Sequence, residues 1–225
     1  MWYSLGVMKN YTEVQIKENF NTFIEFIKSH FSGDRLEKLL KMYSEEEYGY
    51  RAAIAPASSK EYLYKCYPGG YIEHIMCVCK SAFGVKKLWE TMGTIVDFTD
   101  EELIFSALHH NLGKLGDENG EYYLVQDNDW LIKNRSELYK INIALQHMPV
   151  CDRSLYILQK YGINCTKAEY LAIKLYDGMY SEPNKTYLQV FAIENDLKTN
   201  LAHIIHAASY LACRVGIDRY KQENL

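Results

Sequence analysis

Proline and glycine are scarce, at 4 and 13 of 225 residues, which excludes collagen-like and linker-like character. No apolar run approaches the roughly 18 residues that span a bilayer, and the opening Met-Trp-Tyr-Ser-Leu-Gly stretch lacks the small-residue cleavage site of a signal peptide. No basic excess exists: 25 Lys and Arg stand against 29 Asp and Glu, a net charge of −4. That argues against a non-specific nucleic-acid binder while leaving room for a local basic pocket. No CxxC occurs among the six cysteines, so zinc-ribbon and thioredoxin chemistry is unsupported. Free thiols in a reducing cytoplasm are the simplest expectation.

What is present is a globular composition, 48% hydrophobic and 24% charged, long enough to bury a core. The 20 tyrosines exceed ordinary use, and each buried phenol needs a partner. The periodicity is helical. Phe20, Phe23, Ile24, Ile27 and Phe31 mark one helix. Asp34 is placed to cap a second, with Leu36, Leu39, Leu40 and Tyr43. A long helix runs from Tyr71 to near Gly93, and Thr99 with Glu102 forms a capping box for the next. Residues 116–135 read as loop with a short hairpin at Tyr122–Val125, and 136–147 as helix. Asp152 is placed to cap the helix Ser154–Tyr161, and Thr166 with Glu169 opens another that ends at Asp177-Gly178. Residues 180–198 read as a long loop before a last helix whose His203, His206, Ser209 and Cys213 share a face. The expected fold is all-α, with residues 1–51 as an N-terminal helical segment, 52–60 as the linker candidate, and 60–225 as the main domain.

Three motifs stand out: Gly69-Gly70-Tyr71-Ile72-Glu73-His74; His109-His110-Asn111-Leu112-Gly113-Lys114; and His206-Ala207-Ala208-Ser209. With Tyr176-Asp177-Gly178 and Asn184-Lys185, they resemble the HD-domain metal-dependent phosphohydrolases, and more closely the HD proteins of large tailed bacteriophages. The resemblance covers about residues 60–215. It implies a helical bundle and a divalent metal, held by a His, a His-Asp pair and a distant Asp, that activates water against a phosphoester.

This sequence departs from that pattern at several positions. Asn111 stands where the family has Asp, and Ser209 aligns with its terminal Asp. Tyr176 stands for a His, and Ile141 for another. Neutral Asn and Ser hold a divalent metal far more weakly than carboxylates do.

The reading that follows is a catalytically degenerate HD protein, phage-encoded, that binds and sequesters a nucleotide without hydrolysing it; a host antiviral-defence signal is one candidate ligand. No metal is expected. The candidate ligand-binding residues are His74, His110, Asn111, Lys114, Lys133 and Arg135, with Tyr139, Tyr176, Asp177, Tyr180, Lys198 and Ser209. Lys and Arg supply charge to a phosphate, and the tyrosines and Trp130 supply stacking faces. One alternative is a working phosphohydrolase with Mn or Mg on His74, His110 and one further carboxylate, Asp177 or Asp117. Another is a protein-interaction module whose old pocket is filled by Tyr176 and Ile141. His109, His203 and His206 read as packed or structural. The oligomeric state stays open.

Overall fold

The computed structural model describes residues 12–224; the opening segment weighed as a signal peptide lies outside them. The fold is all-α: helix makes up 64%, and among the described residues the one sheet has two short strands. No helix among the described residues is long and apolar enough to cross a membrane.

Helices α1 (Glu13–His30) and α2 (Gly33–Met42) form the N-terminal pair. Thr12 and Gln15 close a capping box on α1. Phe23 and Ile27 are fully buried, each contributing about 2 kcal/mol of hydrophobic stabilisation. Asp34 is not the cap of α2. Ser32 holds that position, and Asp34 lies in the first turn, paired with Lys38 at 2.6 Å. There its charge favours the helix N-terminus without capping it.

The residues placed as a linker are partly helix. Short α3 spans Tyr50–Ile54, and Ala52, Ala57 and Ser58 are buried. Small side chains here serve close packing rather than flexibility. The buried residues of α1, α2 and α3 join one continuous core with those of the later helices.

Helix α4 (Gly70–Thr91) is the central element, packed on α5 (Asp100–His109) and α10 (Leu201–Asn224). Its start follows Gly69, whose φ of +87° only glycine adopts readily. Gly70 meets the Lys65 carbonyl so closely that a Cβ would lie 2.1 Å from its oxygen. The Thr99–Glu102 box caps α5 as its sequence specifies. Thr99→Ala should lower stability by about 1 kcal/mol, read from the urea midpoint.

The middle of the chain departs from the sequence expectation. Residues 129–135 form α6 (Asp129–Arg135), because the Asn128 side chain accepts from the amides of Trp130 and Leu131. Residues 139–141 are not helical: Tyr139–Ile141 is strand β2, paired antiparallel with β1 (Tyr123–Val125). The hairpin is thus built from distant partners around α6. Ser59 extends its edge, its carbonyl accepting from Leu138 at 2.9 Å and Tyr139 at 3.2 Å.

Helix α7 (Val150–Lys160) follows Pro149, so Asp152 lies inside its first turn and pairs with Lys174 instead of capping. Helix α8 (Lys167–Lys174) has the Thr166–Glu169 box and ends before Asp177. The segment 178–195 is a chain of short helical turns that includes α9 (Lys185–Leu188).

The fully buried Glu169 accepts from both terminal nitrogens of Arg35, at 2.8 and 2.7 Å, tying α2 to α8. Arg35 also lies over the Phe105 ring at 4.2 Å. This bidentate geometry offsets the desolvation of the carboxylate.

Candidate functional site

Helices α4 and α5 bring His74 and His110 together beneath α10. Both are buried, and their ring centroids lie 6.2 Å apart. His110 sits at the C-cap of α5, where the chain turns into the short 3-10 helix Leu112–Leu115. Its Nδ1 lies 2.8 Å from the Ala107 carbonyl. A carbonyl only accepts, so Nδ1 carries the proton and Nε2 presents a lone pair. The Asn111 amide nitrogen donates to that lone pair at 2.8 Å, and the Ser209 hydroxyl reaches it from α10 at 3.3 Å. The histidine atom best placed to ligate a metal is therefore already occupied by a neutral donor.

Burial pushes the imidazoles towards neutrality. His110 is pushed down to about 3, mainly by burial and further by Lys114. His74 is held well below its ordinary value by burial, then by Lys114 and His110. His74 Nε2 and Asn111 Oδ1 are buried without a hydrogen-bond partner in the described structure. That is a desolvation cost of about 1–3 kcal/mol each.

Lys114 is the cation of the cluster. Its ammonium donates to the Ala57 carbonyl at 2.9 Å and to the Tyr64 hydroxyl at 3.2 Å. Among the described residues it forms no ion pair within 4.0 Å. Burial pushes its pKa down, opposed by Cys213 and Asp177 acting from farther away. Asp177 is exposed beside the cluster, and desolvation raises its carboxyl against the pull of Lys114.

Two tyrosines close over the histidines. Tyr64 stacks on His74 at 4.5 Å, and Tyr176 meets His110 edge-on at 4.9 Å. Tyr176 is positioned through its carbonyl, which pairs with His206 Nδ1 at 2.8 Å. Gly178 admits that imidazole: its φ is +56°, and a Cβ there would lie 2.4 Å from His206 Cε1. Gly178→Ala should cost about 2 kcal/mol in a urea titration.

Among the expected site residues, His74, His110, Asn111, Lys114, Tyr176, Asp177 and Ser209 come together. Lys133 and Arg135 do not: both are exposed on α6, where Arg135 covers Trp130 at 5.7 Å. Lys198 is exposed and donates to the Ile193 carbonyl of its own loop at 3.2 Å. Tyr180 is 78% exposed and lies outside, beside Tyr210 and His206. Ile141 does not fill the pocket, because β2 turns it outward. Asp117 is held elsewhere by Arg153, at 3.2 Å. His74, His110 and Asp177 do not form a metal-binding trio; no group of three or more His, Cys, Asp or Glu among the described residues could hold a metal.

Tyr139 lies apart from the histidines, packed with Cys66 and Leu138. It also lines a cavity of about 330 Å³ with Lys114, so that lysine is a wall common to the cavity and the cluster.

Sequence reasoning missed Tyr64 and Arg51. Tyr64 sits in an irregular, tyrosine-dense stretch with no periodicity to mark it. The available signal was Gly216 inside α10, where a Cβ would come 2.7 Å from that of Tyr64.

Fold and site together define an all-α bundle enclosing neutral imidazoles beside a lysine that forms no ion pair within 4.0 Å among the described residues. Comparison with protein-family models, curated proteins and solved structures finds no match to the chain.

Proposed function

We propose that this protein is a degenerate member of the HD-domain type that holds a nucleotide, or a similar phosphate-bearing molecule, without cutting it. One observation carries the reading: the charge of the cluster. Neutral His74 and His110, with Asn111 and Ser209 on His110, replace the acids that a hydrolytic metal needs, and Lys114 is left as a cation with no ion-pair partner among the described residues. Such a site attracts a phosphate directly and offers a divalent cation little. The phage origin and a sequestering role belong to the same proposal and rest on the sequence resemblance alone. A working hydrolase has less support, because Asp177 does not join the histidines as a third ligand.

A second reading has its own observation. Tyr64 and Tyr176 cover both imidazoles, as a filled pocket in a protein-interaction module would.

Equilibrium dialysis separates these readings. Linear and cyclic nucleotides are dialysed against the protein in EDTA and, in parallel, with manganese. Equal depletion of one nucleotide in both buffers supports the holding function. Depletion only with manganese overturns the metal-free mode, and no depletion of any nucleotide favours the interaction module.

A further inference from the structure

We infer that the ligand seat is the 330 Å³ cavity lined in part by Lys114, and that it takes a single planar ring carrying one anionic group, the size class of a nucleoside monophosphate. The inference rests on the proposed holding function and adds its location and size limit.

Two basic residues line this cavity, Lys114 and Arg51. The Arg51 guanidinium donates through one nitrogen to the carbonyls of Asp117 at 2.7 Å and Gly120 at 3.2 Å. Like Lys114, it forms no ion pair within 4.0 Å among the described residues. Backbone carbonyls orient these cations and do not neutralise them. Two positive side chains beside one partly desolvated space favour an anion there.

The rest of the lining suits a ring. Tyr122, Tyr123 and Tyr139 all contribute, and burial raises the phenols of Tyr123 and Tyr139 well above their ordinary value, so both stay uncharged at neutral pH. Neutral phenols offer faces for stacking without repelling an anion. Glu121 is the one acid in the lining, and it can accept from an exocyclic amine while disfavouring a second phosphate. The volume lies at the small end of the range of about 300–1,000 Å³ for ligand sites. One nucleotide fits that scale better than two. Lys114 also connects this seat to the histidines, through the Tyr64 hydroxyl that it bonds and the Tyr64 ring stacked on His74.

The test is isothermal titration in EDTA with nucleoside monophosphates, 3′,5′-cyclic mononucleotides and cyclic dinucleotides. It uses the full chain and two variants. Lys114→Met removes the shared cation and should weaken mononucleotide binding about tenfold or more. Val125→Glu tests the cavity without disturbing the core, because Val125 lines it yet is 67% exposed; the added negative charge should weaken binding several-fold with unchanged thermal stability.

Mononucleotide binding weakened by both variants supports the inference. Binding that Val125→Glu leaves unchanged overturns the location while the holding function stands. Preference for cyclic dinucleotides overturns the size limit, again leaving the holding function in place. Absence of all nucleotide binding overturns both.

Discussion

Asn111→Asp should destabilise the protein by about 3 kcal/mol at pH 7. The substitution is nearly isosteric, so packing does not cause the loss. The Asn111 amide donates to the His110 Nε2 lone pair at 2.8 Å; a carboxylate would oppose that lone pair with another acceptor. Relief requires a proton on the imidazole, which burial resists by pushing His110 down to about 3, or a proton on the buried carboxyl. Either way an uncompensated polar pair stays in the core. The deficit should shrink as the pH is lowered to 5.5, where a shared proton becomes cheaper. Adding Ser209→Asp supplies a second carboxylate near the same nitrogen. The proposed HD relationship then predicts that manganese raises the melting temperature of the double variant and leaves the natural protein unaffected. Urea titration of the single variant and thermal melts of the double one check both parts. An Asn111→Asp protein as stable as the original would contradict the proton assignment at His110.

Acid should unfold the protein well above the carboxylate range. His109 and His110 are both pushed down to about 3 in the folded state from an ordinary 6.5, and His74 is also lowered, each chiefly by burial. The unfolded chain therefore binds more protons than the folded one below pH 6.5, so stability rises with pH across that window. The contribution of each group is complete above 6.5 and is lost as the pH falls towards the folded value. Between pH 7 and 5.5 the loss is about 1 kcal/mol each for His109 and His110, and His74 adds to it in the same direction. Against a typical total of about 5–15 kcal/mol, that is a large share. Urea titrations at both pH values measure it. His109→Gln should reduce the pH-dependent loss by about one histidine's share, the His109 ring being packed on Phe105 and Tyr43. A midpoint that does not move between pH 7 and 5.5 would show that the imidazoles are not held neutral.

Local physics was legible where the signal was local. The boxes at Thr99 and Thr166 announce α5 and α8 because donor and acceptor lie three residues apart. Asp34 and Asp152 misled, since an acid in the first turn and an acid at the cap look alike in sequence. Strand β2 was hidden because its partner, β1, lies beyond an intervening helix, and long-range pairing leaves no local mark.

The site divides in the same way. His110 and Ser209 meet across 99 positions, a pairing visible in the sequence only through the spacing of the family it resembles. Lys133, Arg135 and Lys198 stand out in the sequence by charge, and charge alone does not tell a pocket from a solvated face. Tyr64 and Arg51 act through irregular backbone around Ala57 and Gly120, where no periodicity reports which way a side chain points.

The most direct test of the central claim is recovery of the ligand. The protein is incubated for hours with its nucleotide and manganese, then heat-denatured, and the released material is separated by chromatography. Metal-free holding predicts that the full amount returns chemically unchanged. Dephosphorylated or ring-opened product, increasing with time and dependent on manganese, would contradict it and make Asn111 and Ser209 members of a working metal site.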